Sequence, residues 1–319
     1  DGGGDNPRNV LCSPLSGVEK GEFFDVSPYA KKASEFLTGL IGKINLPRKL
    51  KVSFSNTKEN LVHATYRDMG FVAKSNGKFD LYTAGGLGVN PGFGIKTAED
   101  IEPENILYYI MTMVQIFMKY GNYENRAKAR TRYIPRTIGE EKYLSEFNRI
   151  FEEIKNSQDL TLNVTIPTIT KQGNGSVAKS SRNIIEQKQN GLYAVKYHPA
   201  LGNPNLNTLK NLCDKVSQID DAKLRLSTKE EMFITNLTGD EANEILNLLH
   251  SDNSNTELQE SVSCVGATIC QQGIANSSGL LQKIIDVDKE ENFKDGVLPK
   301  LCISGCQSSC AAHETANVG

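Results

Sequence analysis

Cys264 and Cys270 are separated by five residues, and Cys306 and Cys310 by three, all inside the stretch 261–319, which also holds Cys302. Thiolates bunched in this way, in a chain with no sign of a disulfide framework, are metal ligands more readily than bridges. A set of four suits zinc or an iron–sulfur cluster. The gap of five in the first pair fits a zinc knuckle poorly, because knuckles use shorter gaps. The competing reading is a set of buried, inert cysteines with one knuckle by chance, since free cysteine is often a core residue. Cys302 lies four before Cys306, so Cys302 and Cys306 satisfy the gap of three as well as Cys306 and Cys310 do.

The wording around these cysteines narrows the choice. Cys-x5-Cys followed by Ser304-Gly305-Cys306-x3-Cys310 resembles the nitrite/sulfite reductase family, whose members carry a [4Fe-4S] cluster coupled to sirohaem. The resemblance implies that Cys264, Cys270, Cys306 and Cys310 are the metal ligands, with Cys310 also bridging to the sirohaem iron. It favours the later pair over Cys302 because the Ser304-Gly305 turn precedes the pair in the family's wording. Gln307 stands where the family usually has proline.

At 319 residues, with 38% apolar residues, 23% charged residues and a net charge of −2, the composition is that of an ordinary globular protein of one to three domains. Nothing in it calls for nucleic acid or a membrane as partner, and no apolar run is long enough to span a bilayer. The expected location is cytoplasmic.

Residues 1–20 mix glycine, proline and few charges, and taken alone they read as a frayed terminus. The segment GGGDNPRNVLCSPLSGV nonetheless resembles the part of these reductases that supplies an arginine to sirohaem and the bound anion, here Arg8. A planar, permanently charged fork suits an oxyanion. Ser27–Ile44 is expected to be a helix, capped by Ser27 with Pro28 in its first turn. In LPRKLKVSFSN (46–56), Val52 and Phe54 alternate with polar neighbours and predict a strand. Lys49 and Lys51 then share one face, and two like charges there repel unless an anion lies between them. The plain alternative is a solvated strand end. LPRK-x-K resembles the family motif whose two lysines hold the substrate, and the resemblance adds Arg48 to the cofactor-binding set.

Asn76-Gly77 predicts a hairpin between two strands. The loop Gly85-Gly86-Leu87-Gly88 lacks the spacing of a dinucleotide fingerprint or a P-loop. It resembles the family's glycine loop beside sirohaem, which implies cofactor-binding roles for Gly85 and Gly86. Glu102–Tyr120 reads as a core helix with the stripe Ile106, Ile110, Met113, Val114 and Phe117. Arg126, Lys128, Arg130 and Arg132 alternate with neutral residues, and such a run is commonly a solvated or nucleic-acid face. The family sets this segment against the carboxylates of sirohaem, and arginine pairs well with each. Residues 137–157 follow as a charged helix, and the Thr/Ser/Asn/Gly/Gln-rich stretch 159–191 reads as a linker. Strands at 191–197, 223–226 and 232–236 and helices at 206–219 and 239–249 give a βαββα order. The residues after the first cysteine pair read as a charged connector.

The expected fold class is α+β: a nitrite/sulfite reductase fold with a pseudo-two-fold internal repeat and a ferredoxin-like half-domain. The expected domains are 1–155 (first sirohaem-binding domain), 156–190 (linker), 191–255 (ferredoxin-like half-domain) and 256–319 (the start of a second, [4Fe-4S] domain). Compared with the family, the chain reads as a fragment that lacks an upstream half-domain and the end of its second cofactor domain. The implied function is the six-electron reduction of sulfite to sulfide or of nitrite to ammonia. Arg8, Lys49 and Lys51 would act on the anion, with sirohaem and a [4Fe-4S] cluster as cofactors. No nicotinamide or flavin motif is present, so ferredoxin or a similar donor is the expected partner. The rival is a non-enzymatic zinc or iron–sulfur interaction module whose basic residues are surface charge.

Overall fold

The β-branched and aromatic residues of the N-terminal half assemble into a five-stranded mixed sheet. The structure is a computed structural model that describes residues 3–177 and 181–319. Asp1 and Gly2 of the glycine-rich start, and residues 178–180 of the expected linker, lie outside the described residues. The chain divides into two compact units. The first comprises Asp1–Gly17, Gly21–Gly86 and Asn90–Pro167; the second comprises Val18–Lys20, Leu87–Val89 and Thr168–Gly319.

In the first unit the sheet runs β1 (Leu11–Cys12), β2 (Val52–Ser55), β3 (Met69–Ala73), β4 (Phe79–Thr83) and β5 (Ile95–Ile101) in that spatial order. β2 is parallel to both β1 and β3, whereas β3–β4 and β4–β5 are antiparallel. The Asn76-Gly77 signal is realised as the β3–β4 turn. Gly77 has φ +81°, which side chains resist, and the Asn76 side chain accepts from the Lys78 N–H at 3.2 Å. All four residues of β2 are buried, so this short strand is covered on both faces. The Phe54 and Phe71 rings stack at 4.8 Å, and Phe79 meets both edge-on at 6.0 and 6.1 Å.

Three longer helices cover this core: α1 (Ser27–Leu40), α2 (Ile106–Tyr120) and, after the short α3 (Tyr133–Ile138), α4 (Glu140–Ser157). The predicted stripe of α2 is fully buried. In α4, Tyr143, Phe147, Ile150 and Ile154 recur at helical spacing and are buried. Three local expectations are corrected. Ser27 does not cap α1; instead its N–H and hydroxyl donate to the Asp25 carboxylate at 2.9 and 2.7 Å. α1 also ends at Leu40, ahead of Gly42 at φ +80°. The helix expected over 137–157 is interrupted by Gly139 at φ +88°, which separates α3 from α4.

The second unit holds an antiparallel sheet in the order β6 (Ile184–Glu186), β7 (Tyr193–Tyr197), then β9 (Met232–Leu237), with β8 (Lys223–Leu226) at the far edge. Helices α5 (Leu206–Val216) and α6 (Gly239–Leu249) complete the ferredoxin-like βαββα order. β6 lies inside the stretch read as linker. Thr238 and Glu241 form a reciprocal capping box at the start of α6. Beyond it, β10 (Val262–Ser263) pairs in parallel with β11 (Cys302–Ile303). The residues between them are not a plain charged connector. Asn276 accepts from the Gly279 N–H at 2.9 Å and opens the helix α7 (Ser277–Glu291), which buries Leu281 and Ile285.

Candidate functional site

The first unit brings its basic residues together through its backbone. Pro7 and Leu50 form a parallel bridge, with the Arg8 N–H donating to the Leu50 carbonyl at 2.8 Å. Regular strand pairing begins only at Val52, so Lys49 and Lys51 precede the strand expected to carry them. The segment is nonetheless extended, and Leu50 is fully buried, so its two lysine neighbours face away from Leu50.

A carboxylate organises these cations. Asp68, just before β3, has no exposed surface. It accepts from the Lys51 N–H at 2.8 Å, from Arg130 Nη2 at 2.9 and 3.1 Å, and from the Thr131 hydroxyl. The Lys51 ammonium is half-buried, and its pKa is pulled from the ordinary 10.5 down to about 8. Burial is the main cause; the charges of Arg130, Arg67 and Lys49 add to it, and Asp68 opposes them. Burial likewise holds the Arg67 guanidinium below its usual range. Arg67 and Asp68 were not candidates from the sequence. They sit in no recognisable spacing, and only strand pairing puts them beside Lys51.

The basic run 126–132 separates into two parts. Arg126 and Lys128 lie in a single exposed turn, Arg126–Lys128, while Arg130 is half-buried and Arg132 is buried. Asp5 draws together Arg126 at 2.7 Å and Arg48 at 3.0 Å, and Arg126 foremost keeps the Asp5 carboxyl below the usual carboxylate range. Arg132 stacks on Tyr133, with its guanidinium carbon 5.2 Å from the ring centre.

The glycine loop is tied to the same acidic strand start. The Ala84 N–H donates to the Asp68 carbonyl, and the Gly85 N–H to the Arg67 carbonyl, each at 2.9 Å. A Cβ on Gly85 would lie 2.8 Å from the Gly94 nitrogen and 2.9 Å from the Arg67 oxygen; on Gly86 it would lie 2.8 Å from Arg132 Nη1. Backbone atoms therefore require glycine at Gly85, whereas at Gly86 the close neighbour is the end of the Arg132 side chain.

The donor set fits a polyanionic cofactor and a small oxyanion. Four cations, Lys51, Arg67, Arg130 and Arg132, surround one buried carboxylate. The Nε atoms of Arg8 and Arg130 are buried with no hydrogen-bond partner among the described residues. Uncompensated buried cations are costly, so an arrangement of this kind calls for further negative charge.

In the second unit, Cys264 leaves β10 with its N–H on the Ile303 carbonyl at 3.0 Å. Its sulfur receives the Gly305 N–H at 3.1 Å and lies 3.1 Å from the Ser277 hydroxyl. Burial pushes this thiol up, but hydrogen bonds from Ser277, Gly305 and Gly266 outweigh burial and hold its pKa below the usual thiol value. The Ile274 and Ala275 N–H groups both donate to the Gly305 carbonyl at 2.9 Å, which clasps the loop carrying Cys270 onto the turn before Cys306. A Cβ on Gly305 would lie 2.5 Å from the Ala275 oxygen, so only glycine allows this approach. Cys270 and Cys306 are half-buried and Cys310 is exposed; burial raises the Cys302 pKa. Among the described residues, no three Cys, His, Asp or Glu side chains converge in a geometry that holds a metal ion. The frame thus joins the loops of Cys264, Cys270 and Cys306, and it gives Cys264 the N–H donors that a ligating thiolate uses.

Residues 3–155 match the family model of the nitrite and sulphite reductase 4Fe-4S domain. That span contains one cysteine, Cys12, so the candidate ligands all lie beyond it. Over 99% of its length the chain is 25% identical to a ferredoxin sulfite reductase of Mycolicibacterium paratuberculosis, and 24% identical to the chloroplastic ferredoxin–nitrite reductase of Spinacia oleracea. The structure of the Mycobacterium tuberculosis NirA protein has the same fold, with a TM-score of 0.76 at 21% identity over 97% of this chain. Residues 3–155 carry a domain of the nitrite/sulfite reductase family, and the similarity to named sulfite and nitrite reductases extends over 99% of the chain. It spans about half the length of these relatives: 57%, 54% and 56% respectively. Among the described residues, no helix is long and apolar enough to cross a membrane.

Proposed function

We propose that the chain carries the anion-binding machinery of a sirohaem- and [4Fe-4S]-dependent reductase that takes sulfite to sulfide, with nitrite, reduced to ammonia, as the alternative substrate. The observation that carries this reading is the cation array around Asp68, which holds more positive charge than its own carboxylate offsets. When bound, the two redox groups supply the electrons and the reactive iron that side chains cannot. Cys264, Cys270, Cys306 and Cys310 would hold the cluster. Arg48, Arg126, Lys128, Arg130 and Arg132, with the Gly85-Gly86 loop, would receive the sirohaem carboxylates.

Arg8, Lys49 and Lys51 have the anion as their task. Charge-assisted hydrogen bonds from them offset the charge of the substrate. With its pKa near 8, the Lys51 ammonium is protonated at neutral pH yet gives up its proton more readily than an exposed lysine. It therefore suits proton delivery as S–O bonds break. Two ammonium groups flanking Leu50 match sulfite, with its greater charge and three oxygens, better than nitrite. Plant-type nitrite reductases tend to place asparagine at the second lysine of this motif. Ferredoxin is the electron donor on this reading, in keeping with the names of the relatives.

An absorption spectrum with iron analysis tests the cofactor assignment. Bands of both sirohaem and an iron–sulfur cluster are expected. A protein that binds zinc, or a cluster with no haem band, would support the interaction-module reading instead.

A further inference from the structure

We propose that Asp68 is the positioning residue of the anion site: its carboxylate fixes the backbone at Lys51 and the side chains of Arg130 and Thr131 as one rigid array. This rests on the functional reading above and adds to it a residue that neither the motifs nor the comparisons assign.

The geometry leaves Asp68 little freedom. One oxygen accepts the Lys51 N–H at 2.8 Å and Arg130 Nη2 at 2.9 Å; the other accepts Arg130 Nη2 at 3.1 Å and the Thr131 hydroxyl. The backbone on either side extends the hold. The Asp68 carbonyl accepts from Ala84, the Arg67 carbonyl accepts from Gly85, and the Met69 N–H donates to the Lys51 carbonyl at 3.1 Å. One residue pair thereby ties together the lysine segment, Arg130 and Thr131, and the glycine loop. A buried carboxylate with this many donors is held in one position.

The second consequence is electrostatic. The charged groups that act on Lys51 are Arg130, Arg67, Lys49 and Asp68, and of these only Asp68 stabilises its ammonium. The Asp68 carboxylate thus opposes the fall in the Lys51 pKa that burial and the neighbouring cations cause. Without that charge, burial and three cations would lower it further. Asp68 does not donate to the anion; it sets where Lys51 and Arg130 stand and how tightly Lys51 holds its proton.

The test is the pH dependence of Lys51 acetylation by trace acetic anhydride, read by mass spectrometry on the whole chain. It needs neither cofactor nor turnover. The wild-type midpoint is expected near 8. In Asp68→Asn it should fall by about one pH unit. In Arg130→Met it should rise by about one unit, while Arg130→Lys, which keeps the charge, should stay near wild type. Mere loosening of the site predicts something else, a rise toward 10.5 in every variant. A rise in Asp68→Asn overturns the proposal. If Asp68→Asn does not fold, the Arg130 pair decides: equal rises in Arg130→Met and Arg130→Lys also overturn it. The reductase reading fails separately, if these shifts occur in a chain whose holoprotein reduces neither sulfite nor nitrite.

Discussion

The Asp68 carboxylate accepts Arg130 Nη2 at 2.9 and 3.1 Å from a position with no exposed surface, so the sole ion pair shown for Arg130 is turned inward while its Nε has no partner among the described residues. Such a guanidinium is half committed to the protein and half available to a ligand. The same division runs through the whole site, and the predictions follow from it.

Lys51 is expected to lower stability in the free protein. Its folded pKa is depressed, so between about 8 and 10.5 the unfolded chain binds a proton that the folded chain does not. Stability attributable to Lys51 therefore rises with pH across that window, and the cost of charging it is present in full below about 8. Lys51→Met should stabilise the chain by roughly 1–2 kcal/mol at neutral pH. The gain should shrink to nothing as pH rises through the window, measured by urea unfolding at several pH values.

Glu260 is the corresponding hub of the second unit. It is buried and faces Lys196, Arg182 at 3.2 Å and Lys300 at 3.9 Å. Glu260→Ala removes the carboxylate and leaves three partly buried cations, which should cost roughly 3 kcal/mol. Denaturant unfolding followed by circular dichroism checks this, and a loss below about 0.5 kcal/mol would show that solvent already screens the cluster.

The ligand assignment separates two neighbouring cysteines. Cys306→Ser should abolish bound iron and acid-labile sulfide, whereas Cys302→Ser should leave both in place. The backbone supports this choice: Cys302 is held in β11 with its N–H on the Val318 carbonyl, while Cys306 follows the Gly305 turn clasped by the Cys270 loop. The opposite pair of results would move the ligand to Cys302.

Much of this arrangement is legible in the residues themselves. The stripe of α2, the Asn76-Gly77 turn, the βαββα order and the basic residues are local patterns, and local periodicity reports them directly. Asp68 and Arg67 are not legible, because their role is set by the β2–β3 register, a non-local pairing. α7 reads as a connector since its apolar positions are few and its charges many; the Asn276 cap is the signal that would have found it. β5 is an edge strand whose charged, partly exposed residues mask its alternation. The glycine loop shows the reverse case. Its glycines are evident in the sequence, but at Gly85 the residue is required by neighbouring backbone atoms of the chain itself.

The central claim is that the cation array around Lys51 favours sulfite over nitrite as the anion to be reduced by the bound redox groups. The measurement is kcat/KM for both anions in the cofactor-loaded protein, with ferredoxin or a reduced viologen as donor, repeated with Lys51→Asn. The account predicts a preference for sulfite in the wild type and a shift of the ratio toward nitrite in the variant, about tenfold for the loss of one charge-assisted hydrogen bond. A wild type that already favours nitrite, or a ratio that Lys51→Asn leaves unchanged, would contradict it.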